Sequence, residues 1–332
     1  MECNEIIIKH RWSILHKIGE GSFGQVFKAK DIKSNDFYAI KREPLNSPQL
    51  YHEYKIYKTL KNGPSIPNCH WFGQHDGFNC LTIDLLGPSL KDLQDQTKII
   101  PLETIVNMGC QLYMHSIGIV YRDLKPENFL LPKDYSSSSS SFSINVIDFG
   151  LATWWKSPKT HAPYPPSRHK QKIGTARYAS IPVHHGHSHA PRDDMESLGY
   201  LLLDLLLCGE LPWSGVVARS CKAGWDRIKR IKEETSLHDL CMGLPVGILH
   251  FINYTRNLEF HNRPDYDHLT SLLTGSLHSG SYSTPIKRIK HKNHSQVFLM
   301  QELAKELSSH SSNHRSKYQK YIVCNSPQGE LV

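Results

Sequence analysis

The sequence predicts an α+β chain of two lobes, a small strand-rich one followed by a larger helical one. Three observations carry this. The segments 12–18 (Trp-Ser-Ile-Leu-His-Lys-Ile) and 25–30 (Gln-Val-Phe-Lys-Ala-Lys) alternate apolar and polar residues, as half-buried strands do. Residues 195–207 are rich in leucine and read as a buried helix. The length of 332 residues is long for one domain and fits one two-lobed unit plus a tail, with an apolar content of 39% that allows a proper core. The expected boundaries are an N-terminal extension over 1–10, a small lobe over 11–86, a large lobe over 87–276 and a mostly disordered tail over 277–332.

The two strands flank a glycine string, Gly19, Gly21 and Gly24 followed by Val26. Such a string is weak evidence by itself, because dinucleotide-binding folds carry a similar one at a strand-to-helix turn. Here a strand follows it, so a hairpin lid is expected, its glycines letting the backbone approach phosphates closely. Next, Phe-Tyr-Ala-Ile-Lys at 37–41 is an apolar strand ending in Lys41. An ammonium there needs a partner. Glu53 fits, in a segment where Leu50, Tyr54, Tyr57 and Leu60 recur near helical spacing. Taken alone, this pair reads equally well as a surface ion pair of little worth.

The run Tyr-Arg-Asp-Leu-Lys-Pro-Glu-Asn at 121–128 sets Asp123, Lys125 and Asn128 on one short loop. The trio suits phosphoryl transfer: a carboxylate to orient and deprotonate a hydroxyl, an ammonium to neutralise the moving phosphoryl group, and an amide oxygen to ligate magnesium. Downstream, Ser-Ile-Asn-Val-Ile-Asp-Phe-Gly at 143–150 is an apolar strand ending at Asp148, a second candidate magnesium ligand. The ordered set resembles that of protein kinases and implies their bilobal fold.

Three further strings narrow the resemblance: Leu-Leu-Gly-Pro-Ser-Leu at 85–90, Gly-Thr-Ala-Arg-Tyr-Ala-Ser at 174–180 and Arg-Asp-Asp-Met-Glu-Ser-Leu-Gly-Tyr at 192–200, with Pro212, Trp213 and Pro-Asp-Tyr at 264–266 after them. Over residues 11–273 the chain resembles the casein kinase I family of serine/threonine kinases. Ser-Ile-Pro at 180–182 stands where most kinases carry Ala-Pro-Glu, much as that family has Ser-Ile-Asn. The resemblance implies ATP and Mg2+ as cofactors, Asp123 as catalytic base and Lys125 on the γ-phosphate. It implies Asn128 and Asp148 as magnesium ligands, and Lys41, paired with Glu53, on the α- and β-phosphates. Gly19, Gly21 and Gly24 would cover the phosphates. The adenine would meet a hinge at 84–87, including Asp84 and Leu86, behind the gatekeeper Ile83 and between Val26, Ala39 and Leu130. Asp194 would anchor the catalytic loop from below.

No stretch approaches the roughly 18–20 uninterrupted apolar residues of a membrane span. The stretch 198–211 is short and broken by Asp204. Neither a signal peptide nor a lipidation box is read, so no membrane anchor is expected. The eight cysteines are scattered, which suits reduced thiols in the cytosol or nucleus. The formal net charge is +8, and the activation segment carries Lys156, Lys159, Arg168, Lys170, Lys172 and Arg177. A cationic surface there favours acidic or already phosphorylated protein substrates. Arg177, with Lys172, matches the position at which the family binds an anion. The alternative is a solvated charged loop. No specific nucleic-acid motif accompanies the charge. Lys-Arg-Ile-Lys-His-Lys at 287–292 reads equally as a nuclear address or a basic linker. The histidine cluster at 184–189 reads as a loop near the peptide groove rather than a metal site. Ser136 to Ser141 reads as an insertion in a hairpin loop, and 296–307 as a short helix.

Three departures from the family pattern stand out. The helix ahead of the catalytic loop has only 102–115 available, roughly one to two turns short. Gly224 stands where a lysine is expected at the anion site, and Pro191 where an arginine is. The expected protein is thus a monomeric serine/threonine kinase, active without an upstream kinase, with a pseudokinase or binding scaffold as the alternative that the short helix motivates.

Overall fold

The computed structural model describes residues 6–21, 24–97, 114–135, 144–168, 171–278 and 322–323. The N-terminal lobe is a six-stranded antiparallel sheet in the order β1-β2-β3-β4-β6-β5. Its strands are β1 (Ile7–Ile8), β2 (Trp12–Gly21), β3 (Gly24–Asp31), β4 (Phe37–Pro44), β5 (Cys69–His75) and β6 (Phe78–Asp84). Helix α1 (Gln49–Thr59) lies between β4 and β5 in the chain. Ile7 and Ile8 were expected in an N-terminal extension; instead they pair with Ser13 and Trp12 and belong to the sheet. The reason is burial: Ile8 packs with Trp12, Ala29, Ile40 and Cys80 in a small core on one face.

The other face of the sheet is the one that positions the site. Directly paired residues share a face, and the register sets Val26 opposite Lys41, Lys41 opposite Leu81, and Ala39 opposite Ile83. The period of two therefore brings Val26, Ala39, Lys41 and Ile83 to one surface. The glycine hairpin closes above it, Gly19 pairing with Val26 and Gly21 with Gly24.

Past the hinge the chain is mainly helical: α2 (Leu90–Thr97), α3 (Met114–Ile117), α4 (Ile181–His184), α5 (Pro191–Leu206), α6 (Cys221–Glu234), α7 (Leu237–Cys241), α8 (Val246–Arg256) and α9 (Tyr266–His278). Short strands frame the site: β7 (Ile119–Val120) pairs with β10 (Thr153–Trp154), and β8 (Phe129–Leu130) with β9 (Asn145–Val146). Helix α5 is the axis of this lobe. Pro191 occupies its first turn, where a missing N–H costs nothing. Leu198, Leu201, Leu202 and Leu203 are fully buried, because the helix is enclosed nearly all round and needs no polar stripe.

The expected helix over 102–115 lies largely outside the described residues, which resume at Met114. The serine insertion at 136–141, Lys170, the basic run at 287–292 and the helix at 296–307 also lie outside them. Of the tail beyond His278, only Ile322–Val323 is described, as β12, pairing antiparallel with β11 (Val217–Ala218). Among the described residues no helix is long and apolar enough to cross a membrane.

Truncating Leu201 to Ala should lower the unfolding free energy by about 2–5 kcal/mol, the cost of a large-to-small change in a packed core. Urea denaturation measures it; a loss under roughly 1 kcal/mol would contradict the packing described for α5.

Candidate active site

Lys41 sits at the centre of the site. Its Nζ donates to Glu53 Oε2 at 2.7 Å and to Asp148 Oδ1 at 3.2 Å. The strand-to-helix pair is therefore no loose surface contact: Glu53 is 2% exposed. The burial penalty opposes charge on Lys41, but the carboxylates of Asp148 and Glu53 outweigh it and raise its pKa. Burial raises the pKa of Glu53 as well, against the pull of Lys41. At this contact distance the ammonium keeps its proton, and Glu53 is the member whose ionisation costs more. Asp148 is half-buried; desolvation works against its charge, but Lys41 and then Lys125 hold its carboxyl below the usual range.

The segment after Asp148 is fixed by packing. Phe149 is fully buried and meets Tyr57 of α1 edge-on at 4.8 Å and Tyr121 at 5.7 Å. Asp148 itself has φ 62° and Arg122 φ 71°, left-handed conformations costly for side-chain-bearing residues. Arg122 is held in place by two bonds: its Nε donates to Leu151 O at 2.5 Å, and its backbone N–H to Asp194 Oδ1 at 2.9 Å.

The catalytic loop places Asp123 beside three partners. Lys125 Nζ lies 2.7 Å from its Oδ2, Thr175 Oγ1 donates to its Oδ1 at 2.7 Å, and Asn128 Nδ2 donates to its carbonyl at 3.0 Å. Asn128 lies in the 3-10 turn Pro126–Asn128. The close approach of the activation segment requires Gly174, whose φ is +92° and whose added Cβ would fall 2.2 Å from Arg122 O.

Below the loop, Asp194 accepts the backbone N–H groups of Tyr121 at 2.6 Å and Arg122 at 2.9 Å, and His115 Nε2–H at 2.9 Å. With that nitrogen donating, His115 Nδ1 takes the hydroxyl hydrogen of Tyr266 at 2.9 Å. Burial works against the Asp194 charge, but His115 and the two backbone donors overcome it and hold its pKa low.

At the hinge, the Asp84 side chain turns away from any nucleotide. It accepts Asn68 N at 2.8 Å and His70 Nε2 at 2.6 Å, leaving backbone groups as the hinge's contribution. Gly87 N donates to Leu131 O at 2.9 Å, strapping the hinge to the large lobe beside half-buried Leu86 and Leu130. Val26 and Ala39 stand on the sheet face above.

Arg177 requires a correction. Expected at a substrate anion site, its guanidinium is committed to Asp204 and donates to Gly209 O at 2.6 Å. Asp204 is buried within α5, where sequence showed only a break in a leucine run. An arginine already neutralised by a buried carboxylate offers little to a phosphate. Lys172 is likewise paired, with Asp226 at 2.7 Å, though it is more exposed. The histidine cluster is dispersed: His184 is buried against Trp225, and His185 pairs with Glu233. Among the described residues no group of His, Cys, Asp and Glu side chains could hold a metal in the manner of such a cluster.

Sequence reasoning missed Thr175, His115 and Lys232. Lys232 is fully buried in α6, its Nζ donating to Ala176 O at 3.0 Å and Ala179 O at 2.6 Å. It also lies 4.5 Å from the Tyr200 ring and 5.1 Å from that of Trp213. It thereby clamps the activation segment to the helical lobe. A signal existed: Lys232 follows Trp225 and Ile228 at helical spacing, on the buried face of α6.

Oxygen donors alone, Asp148 and Asn128, suit a hard cation such as magnesium, and the ammoniums of Lys41 and Lys125 suit phosphate oxygens. The whole arrangement can bind a nucleotide phosphate chain and present a carboxylate to a hydroxyl.

Replacing Asp194 by Ala strands two buried N–H groups and His115, and should destabilise the protein by about 3–5 kcal/mol. The sign of its pH dependence follows from the lowered pKa. Asp194 contributes stability above the ordinary carboxylate pKa and loses it only as pH falls through its lower folded value. Asp194→Asn should therefore flatten the acid limb of a stability–pH curve; an unchanged limb would contradict the anchoring role.

The comparisons with known proteins agree with this geometry. Residues 12–271 match the protein kinase domain. Casein kinase I homolog 2 of Schizosaccharomyces pombe is 39% identical over 280 residues, 82% of this chain and 64% of that protein. Casein kinase I homolog 1 of the same organism is 40% identical over 282 residues, 82% of this chain and 62% of its own length. Homolog 3 is 40% identical over 269 residues, 79% of this chain and 61% of its own length. The chain thus spans under two thirds of these relatives. With the kinase domain matched over most of its length, the chain belongs to the protein kinase family and is a casein kinase I family member.

Proposed function

We propose that the chain is a serine/threonine protein kinase that transfers the γ-phosphate of ATP to hydroxyls in acidic protein segments. The observation that carries this is the Lys41 ammonium shared between Glu53 and Asp148, with Asp123 and Lys125 already assembled on the neighbouring loop. Magnesium, when bound at Asp148 and Asn128, would neutralise charge on the phosphates. Lys41 holds the α- and β-phosphates, and the glycine hairpin covers them. Asp123, steadied by Thr175, accepts a hydrogen bond from the substrate hydroxyl and takes its proton as the new P–O bond forms and the bond from the γ-phosphorus to the β–γ bridging oxygen breaks, releasing ADP. Lys125 offsets the negative charge on the transferred group.

Acidic segments are favoured because Lys159 and Arg168 are exposed beside the activation segment, with Lys172 nearby. Recognition of a pre-formed phosphate through Arg177 is not supported, since Asp204 occupies that guanidinium.

Purified protein with magnesium and radiolabelled ATP should phosphorylate an acidic serine peptide. Asp123→Ala and Lys41→Met should each reduce the rate by roughly 10²–10⁴-fold. Wild type as inactive as both variants, while still binding nucleotide, would favour a scaffold instead. Asp204→Asn should release Arg177 and raise kcat/KM several-fold for a pre-phosphorylated peptide over its unphosphorylated form. No change in that ratio would mean that Arg177 does not face substrate.

A further inference from the structure

One face of α1 is matched residue by residue to the segment that carries Asp148. Gln49, His52, Glu53 and Tyr57 recur at helical spacing, i, i+3, i+4 and i+8, so they share one side of the helix. Each meets a different part of the segment 148–152. Glu53 reaches Asp148 through the shared ammonium of Lys41. Tyr57 packs edge-on against Phe149 at 4.8 Å. Gln49 lies over Gly150 so closely that an added Cβ there would fall 2.6 Å from Gln49 Nε2. His52 Nε2 lies 2.7 Å from Ala152 O; a carbonyl only accepts, so the imidazole donates and its Nε2 carries hydrogen.

The His52 bond differs in kind from the others. It is a direct 2.7 Å side-chain hydrogen bond from α1 to a backbone carbonyl of this segment, and it neighbours Glu53 in sequence. Helix α1 can slide or tilt relative to the large lobe only by breaking it. If α1 moved outward, Glu53 would leave Lys41, and the ammonium would lose the partner that fixes it beside Asp148. The Ala152 carbonyl therefore acts as a fixed post against which the small-lobe helix is set. Helix α1 has no side-chain cap at Pro48; its first turn is held on the small-lobe side by Glu43 Oε2, which accepts Leu50 N–H at 3.0 Å, so His52 adds the hold toward the large lobe.

We propose that His52 is a positioning residue for phosphoryl transfer: its Nε2–H bond to Ala152 O locks α1 against the Asp148 segment and keeps Lys41, Glu53 and Asp148 assembled without any modification of the activation segment. The inference rests on the kinase reading of the same site and deepens it. It assigns to one side-chain-to-backbone hydrogen bond the task of holding the helix inward.

The test uses the full chain with two substitutions. His52→Phe keeps a ring of similar shape and removes the donor. His52→Gln keeps an amide donor that can reach the same carbonyl. Melting temperature, binding of a non-hydrolysable ATP analogue with magnesium, and kcat and KM for an acidic peptide are read for each. His52→Phe should lower kcat about tenfold, the worth of one positioning hydrogen bond, and weaken magnesium-dependent analogue binding. KM for the peptide should be nearly unchanged. His52→Gln should recover most of the lost kcat. If His52→Phe unfolds, the Gln variant still decides: wild-type kcat supports the bond, whereas a tenfold loss in a folded Gln variant overturns it. A folded Phe variant with wild-type kcat also overturns the proposal. An inactive wild type would instead remove the kinase reading itself, so the two failures are distinguishable.

Discussion

A single ammonium, that of Lys41, ties the two lobes into one site. It stands on the small-lobe sheet, with its carboxylate partners on α1 and at the start of the large-lobe segment 148–152. Burying a charge is expensive unless it is paired and hydrogen-bonded. Lys41 therefore demands both carboxylates, and each carboxylate in turn depends on the position of its own element. The strand register that puts Lys41 on the same face as Ala39, the helix that delivers Glu53, and the left-handed turn at Asp148 are three consequences of satisfying one buried charge.

The large lobe repeats the same logic with polarity reversed. Buried anions on α5 hold the backbone of the loops above. Asp194 gathers the catalytic loop and His115, and Asp204 gathers Arg177 and Tyr178. Lys232 contributes the complementary device, a buried amine whose Nζ donates to two carbonyls of the activation segment. Because these groups have no solvent to fall back on, the segment 174–180 has few alternative positions. That agrees with a site assembled before any substrate arrives, and with catalysis that relies on preorganised charge.

The sequence was legible where function imposes fixed spacing. The glycine hairpin, Lys41, Glu53, the 121–128 loop and Asp148 could be placed because each combines an unusual residue type with a recognisable strand or helix. What failed depended on partners far apart in the chain. Arg177 looked like a free cation because nothing local reveals that Asp204, 27 residues on, turns inward to meet it. Lys232 was hidden in a run of charged residues whose periodicity, not composition, marks the buried face. Ile7 and Ile8 are too short a strand to show alternation. His52 sits beside a residue of obvious role and drew no notice for that reason.

The central claim is that Glu53 and Asp148 act through the same ammonium, so their effects on phosphoryl transfer cannot be independent. A double-mutant cycle on γ-phosphate transfer from magnesium-ATP, using Glu53→Gln, Asp148→Asn and the pair together, tests it most directly. The account predicts that the double variant is scarcely slower than Asp148→Asn alone. Losses that multiply as if the two sites were independent would contradict it.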